Sequence, residues 1–335
     1  MRLLKRLAVM TALLLLAAPD AALAQDRSKL TLGFAKCAHC MPMGLMPELS
    51  DKLTIEATNF TTGNDVLTAL VSKSIDVAQV TYLHYVIALD KGFDVVAISG
   101  QVNGGSEIVV QPGLNLKEGD WVGFKALVAE RKAAGKPLKV AASRGSAQDI
   151  HLRGELLLNG IDANKDIQFV NIPNPADHAA ALKAGEVEVI CTVEPFASQI
   201  KLANVGKSFA LPYNQAAGKL TNLIVTRSDV IKSRPKDVQE TVNAVVKLVD
   251  KLNGNQQIWV DVINKYTGLD EAVALAAQKN AFPDYKMYRA STLAIAKMMS
   301  DLKYIGRDVS ADAEKFMDYQ FLVEATRMPK SELGY

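Results

Sequence analysis

Two thiols, one imidazole and three thioethers fall within eleven residues, Lys36-Cys37-Ala38-His39-Cys40-Met41-Pro42-Met43-Gly44-Leu45-Met46. Thiols, thioethers and imidazole are the donors that select soft metals, and C-x-x-C is also the spacing of a redox pair. Three readings stay open on the residues alone. Cys37 and Cys40 could be joined in a disulfide. They could instead hold a soft ion such as Cu(I), with His39, Met41 and Met43 as further ligands. Or the cluster could be a thiol-and-thioether wall for an organic ligand, without metal. A structural zinc site would want a second pair of ligands, and Cys191, His151 and His178 are too scattered to supply an obvious one.

Other residues could bind rather than react. Ser143-Arg144-Gly145-Ser146 lies between a strand-like run and a helix starting near Gln148. Free N–H groups at such a helix start favour an anion, and Arg144 could clamp one with two hydrogen bonds. An ordinary turn with a Ser N-cap and a solvated Arg is the plainer alternative. Glu194 precedes Pro195 at a strand end, as a cleft acid or as a cap on the next helix. Asn64 or Asp65 is expected to cap a helix first and touch a ligand second, and Thr81 and Tyr82 sit at another strand end. No G-x-S-x-G elbow, H-E-x-x-H, Walker loop or dinucleotide fingerprint is present. Cys37 and His39 are too close in sequence to expect a nucleophile–base pair.

The elements that must position these groups read as an alternation. Leu30–Phe34, Leu53–Ala57, Ile75–Val80 and Val95–Ile98 are short β-branched runs with helical segments between them. The rhythm resumes at Leu138–Ala142, Ile167–Val170, Val187–Ile190 and Phe209–Leu211, and predicts mostly parallel sheets with ligands at the strands' carboxyl ends. Ala69–Val77 aligns without gaps to Ala181–Val189 as helix end, tight turn and strand, which argues for two similar lobes. After Arg234 the chain reads as helical, with Val238, Val242, Val245 and Val249 on one face.

Compartment and charge narrow the class. Residues 1–24 read as a secretory signal: a basic start, an apolar run from Leu7 to Ala18 too short to span a bilayer, and Ala22-Leu23-Ala24 before the cleavage point. Removing three cations and one anion with it brings the formal charge from +2 to zero. Neutrality argues against nucleic acid or an anionic membrane as partner. The remaining stretch of about 310 residues exceeds one typical core.

Taken in order, four segments carry a resemblance: Gly33–Cys40, Ala69–Val80, Ala142–Ser146 leading into the helix with His151 and Leu156, and Ala181–Thr192 running into Glu194-Pro195. The chain resembles the periplasmic substrate-binding proteins of nitrate, aliphatic-sulfonate and taurine ABC importers. The resemblance implies a type II two-lobed α/β fold, with lobe one at 25–110, lobe two at 111–219, and 220–335 returning to lobe one with C-terminal helices. Crossovers are expected near Glu107–Val110 and Thr221–Thr226. It also implies a monomeric, non-enzymatic periplasmic receptor with no cofactor, which closes on a small ligand and delivers it to a membrane ABC permease. The expected ligand contacts are Cys37, His39, Cys40, Met41, Asn64, Thr81, Tyr82, Ser143, Arg144, Gly145, Ser146 and Glu194. The soft cluster departs from that family's pattern. It keeps two alternatives open: a soft-metal or metal-complex binder on the same scaffold, and a thiol-disulfide or thiamine-pyrimidine-synthase-like enzyme.

Overall fold

The computed structural model describes residues 27–335. The expected signal, residues 1–24, lies outside the described residues. Eleven strands form two sheets. The first contains β1 (Ser28–Ala35), β2 (Leu53–Phe60), β3 (Val77–Thr81), β4 (Val96–Gly104), β10 (Asn222–Thr226) and β11 (Ala281–Asp284), in the order β11-β4-β10-β3-β1-β2. The second contains β5 (Ser106–Val110), β6 (Lys139–Ala142), β7 (Gln168–Asn171), β8 (Val189–Val193) and β9 (Lys207–Ala210), in the order β7-β6-β8-β5-β9. Helices cover both sheets: α1 (Gly63–Val71) and α2 (Tyr82–Asp90) on the first, then α3 (Trp121–Ala133), α4 (Ala147–Leu158), α5 (His178–Ala184) and α6 (Phe196–Leu202) on the second. The tail, beginning with α7 (Ser228–Ser233) and α8 (Pro235–Gly254), returns to the first sheet.

Local chemistry explains these elements. Strands β4, β5, β8 and β10 are buried along their whole length, so they show no alternation of buried and exposed residues. In α8, Pro235 occupies the first turn, where its missing N–H is not needed. Val238, Val242, Val245 and Val249 are all buried on the face that the spacing predicts. Burying each is worth about 1.5–3 kcal/mol. The aligned repeat is also real in the backbone. Lys73 and Gly185 occupy its same position, both left-handed, at φ 63° and 74°. The next residues, Ser74 and Glu186, donate their N–H groups back to Ala69 and Ala181 at 2.9 and 3.1 Å, closing each helix in the same way.

The sheets are mixed. The βα units keep β1 parallel to β2 and β3, and β6 parallel to β7 and β8. Strands β5 and β10, which follow the passages from the other sheet, run antiparallel to their neighbours, and β9 and β11 pair antiparallel with β5 and β4. The chain passes between sheets at Gly104-Gly105 and again over residues 211–221. The segments expected as crossovers are themselves strands: Glu107–Val110 lies in β5 and most of Thr221–Thr226 is β10.

The first passage depends on glycine. Gly104 and Gly105 have φ of 90° and 84°, and a methyl on Gly104 would sit 2.5 Å from the Asn280 carbonyl oxygen. Substituting Gly104→Ala is expected to cost at least about 2 kcal/mol in urea unfolding, from backbone strain plus a clash that cannot rotate away. Gly92→Ala, with φ of 72° and open space around it, should cost only about 1 kcal/mol. Equal losses in the two variants would show that the passage is not sterically constrained.

Candidate functional site

A cavity of about 60 Å³ opens between the two sheets at their strand ends. One water needs roughly 10–15 Å³ of such space, so the cavity suits a ligand of a few heavy atoms. Its walls come from the loop after β1, the starts of α1 and α2, and the start of α4 with Pro173 and Pro175.

The loop after β1 is the soft cluster. Cys37 and Cys40 are joined in a disulfide, with Cα atoms 5.0 Å apart. A turn holds them: Cys40 and Met41 donate their N–H groups to the Cys37 carbonyl at 2.8 and 2.9 Å. Asn222 Nδ2 donates to the His39 carbonyl at 3.1 Å, and Ala38 N–H donates across the cleft to the Glu194 carbonyl at 2.8 Å. His39 is 1% exposed, with Nε2 3.3 Å from Cys37 Sγ and Nδ1 without a partner among the described residues. Burial, with the neighbouring His151, pushes its pKa down to about 3, so the ring is neutral.

Three helices aim their first turns at the cavity. Thr62 caps α1 in a capping box with Asp65, so neither Asn64 nor Asp65 is the cap. Thr81 caps α2 and Ser146 caps α4. In α2 the histidine tautomer follows from its partners. Thr81 N–H donates to His84 Nδ1 at 3.3 Å, so Nδ1 is bare and Nε2 carries the proton. Nε2–H then donates to Asn64 Oδ1 at 3.2 Å, which leaves the Asn64 amide N–H₂ as a donor at the cavity. Burial holds His84 neutral, its pKa pushed down to about 4.

The sign of the site is therefore set by helix dipoles together with one side-chain cation, Lys36. Helix starts carry unpaired N–H groups and roughly +0.5 of a charge each. No Asp or Glu lines the cavity, and Lys36 is its one charged residue. The arrangement can donate hydrogen bonds to a small oxyanion and offers a hard cation no carboxylate.

Of the expected contacts, Cys37, His39, Cys40, Asn64, Thr81, Ser143 and Ser146 line this cavity. Met41, Tyr82, Arg144, Gly145 and Glu194 do not. Met41 is fully buried, Met43 sits in the core of lobe one, and neither reaches the cavity. Tyr82 is buried in the same core, where its hydroxyl accepts from the Tyr288 N–H. Arg144 is exposed, and its guanidinium lies 4.9 Å from the Phe169 ring rather than over the cavity. Gly145 N–H donates to the Tyr304 hydroxyl at 2.8 Å, part of a fastener in which Tyr304 also reaches Asp149 across the cleft. Glu194 precedes Pro195, the N-cap of α6, and serves the start of that helix: its carboxyl accepts from Ser198 N–H and Oγ–H, both at 3.0 Å. Burial, countered in part by Lys201, pushes its pKa up to about 7.

Several wall residues went unweighed in the sequence: Lys36, Thr62, Gln79, His84 and Gln148. A signal for two of them was available in the spacing Thr62-x-x-Asp65, a capping box, and Thr81-x-x-His84 in the same frame.

All four histidines are buried neutral, with pKa values lowered chiefly by burial. Between about pH 6.5 and 4.5 the unfolded chain binds protons that these rings refuse, so stability falls as pH falls. Glu194 acts oppositely, losing its contribution as pH rises from 4.5 through about 7, but three histidines at about 3, 4 and 4 outweigh it. The melting temperature should drop on acidification from pH 6.5 to 4.5, and His84→Gln should make that drop shallower. A flat profile would contradict the buried neutral rings.

The NMT1-like family matches residues 24–263. Over 160 residues the chain is 28% identical to the nitrate/nitrite binding protein NrtA of Synechococcus elongatus, a stretch covering 48% of this chain and 33% of that protein. The matched stretch thus spans about a third of that relative's length. Among solved structures, the periplasmic nitrate-binding protein NrtA from Synechocystis PCC 6803 superposes with a TM-score of 0.77 at 17% identity, over 92% of this chain and 91% of that one. The alkanesulfonate-binding protein SsuA from Xanthomonas axonopodis pv. citri, bound to MOPS, gives 0.70 at 18% identity, over 87% and 99%. These two likenesses bear on the fold.

Proposed function

The chain belongs to the NMT1-like family, and from that premise we propose that it is the solute-binding component of an ABC importer for a small oxyanion. The observation that carries this reading is the cavity where α1, α2 and α4 begin together with no carboxylate among its walls. The named ligands of its relatives, nitrate and an alkanesulfonate, set the class to test. The cavity size favours the smaller members. In this reading the ligand binds between the lobes and Asn64, Ser146 and the helix starts donate to it. The lobes close about Gly104-Gly105 and residues 211–221, with the Tyr304–Asp149 fastener holding them shut. A membrane permease then receives the ligand. The place of action is the periplasm, and the chain acts as a monomer without catalysis or a resident cofactor. Among the described residues no helix is long and apolar enough to cross a membrane.

A second reading, a soft metal as ligand, is favoured by one observation. Donor atoms of Cys37, His39 and Cys40 lie within 4.8 Å of one another. Yet the two sulfurs are bonded to each other here, and a disulfide sulfur is not the thiolate that ligates a metal. In this state the oxyanion reading stands ahead.

Thermal-shift titration of the oxidised protein tests it, with nitrate, methanesulfonate and taurine as probes and ammonium as control. A true ligand at 100 times its Kd should add about 2.7 kcal/mol to stability. Gln148→Glu, which places a carboxylate in the wall, should weaken the binding anion by about 100-fold or more while the protein stays folded. No stabilisation by any of these anions, or binding untouched by Gln148→Glu, would remove the oxyanion reading.

A further inference from the structure

The disulfide stands in the wall of the ligand cavity, and the turn that brings its sulfurs together does not depend on it. Cys40 N–H and Met41 N–H close that turn on the Cys37 carbonyl, Asn222 anchors the His39 carbonyl, and Ala38 is pinned to Glu194. Breaking the S–S bond therefore leaves both sulfurs on the same short arc. His39 completes the set, its Nε2 3.3 Å from Cys37 Sγ. Metal–sulfur bonds of about 2.3 Å and metal–nitrogen bonds of about 2.0 Å at a tetrahedral angle put ligand atoms roughly 3.5 Å apart. The spacing already present is close to that.

We propose that the redox state of Cys37–Cys40 selects which ligand class the cleft takes: a small oxyanion when oxidised, a soft metal ion held by Cys37, His39 and Cys40 when reduced. The oxidised half rests on the function proposed above; the reduced half stands on the loop itself. Reduction is a two-electron step. A dithiol reductant supplies two electrons and two protons, the S–S bond becomes two thiols, and the reductant leaves as a disulfide. The ion then binds as the two thiols release their protons. Two thiolates and an imidazole select Cu(I), Zn(II) or Cd(II) over Mg(II) or Ca(II), which favour carboxylate oxygens, and this wall has no carboxylate.

Three protein groups leave room for a fourth ligand from the cavity. The thioethers need not join: Met43 and Met46 pack in the lobe-one core. Cys191 lies apart, fully buried against the second sheet, so it serves as an internal control for non-specific thiol binding.

The test uses the whole chain, reduced anaerobically with a phosphine that is removed by gel filtration before titration with Cd(II). One ion per chain is expected, with a thiolate-to-cadmium charge-transfer band in the ultraviolet. Affinity should fall at least about 100-fold in the oxidised protein and in the Cys37→Ser/Cys40→Ser variant, which keeps Cys191. His39→Gln should weaken binding about tenfold or more. Circular dichroism of every sample shows that the chain is folded. The inference is overturned if the folded, reduced protein gives no charge-transfer band, or if the double variant binds as tightly as the reduced parent. Oxyanion binding is measured separately on the oxidised protein. Failure there with metal binding intact counts against the proposed function alone, and the reverse outcome counts against this inference alone.

Discussion

Two segments run side by side between the lobes, and the hydrogen bonds that tie them together organise everything around the cleft. Gly104 N–H donates to both the Lys219 carbonyl and Thr221 Oγ1, while Thr221 Oγ1–H returns to the Gly104 carbonyl at 2.8 Å. Asn103 Oδ1 accepts from Thr221 N–H, Gly105 N–H reaches the Asn280 carbonyl, and Glu194 N–H reaches the Gly105 carbonyl. Such close approach of backbones leaves no room for side chains, which is why this knot contains two glycines at positive φ. His39 packs its ring against Gly105 from the other side; a methyl there would lie 2.2 Å from Nδ1. The soft cluster is thus built onto the passage itself, and any movement of the lobes about it must move the disulfide loop.

Around that knot the electrostatics are consistent in one direction. Every histidine is buried, and each is neutral because burial penalises the charged ring more than its partners favour it. Carboxylates near the cleft are satisfied by protein partners, and none lines the cavity. Asp149 pairs with Arg153 at 2.7 Å, Glu107 with Lys201 at 2.6 Å, and Glu194 with Ser198. Buried charge so arranged is compensated locally, which leaves helix starts and amides as the groups that face the cavity. The cavity wall thus holds oriented donors, one cation at Lys36 and no carboxylate. It gains most when an anion arrives.

How much of this was legible in the sequence varies with the kind of information required. Periodicity is local, so the βα rhythm, the buried valines of α8 and the repeat around Lys73 and Gly185 could all be read directly. Strand partnership is not local. Val109 and Val110 look like any buried β run, and nothing in their types says that they pair with β8 and β9 rather than with β4. Hence the crossovers fell several residues away from where the chain makes them. Side-chain direction in a turn is equally silent. Arg144 has the right chemistry for an anion and the right loop, yet its stem leaves the turn on the outer side and stacks on Phe169. Ser143 and Ser146 flank it and line the wall. Glu194 had two readings from its position at a strand end, and the capping one is what its hydrogen bonds show.

The soft cluster at first argues against an oxyanion ligand, because reduced cysteines that ionise would put negative charge where the ligand's charge must sit. The structure removes the conflict by pairing the sulfurs. A disulfide is uncharged, polarisable and apolar, so Cys37 and Cys40 become a neutral wall beside three helix starts. The same atoms, opened to thiolates, would reverse the local sign and oppose an anion while favouring a cation. The loop therefore cannot be indifferent to its oxidation state: the disulfide presents no charge, and two thiolates would present negative charge, to the same 60 Å³ cavity. For the oxyanion binding proposed above, an oxidising environment then becomes a condition.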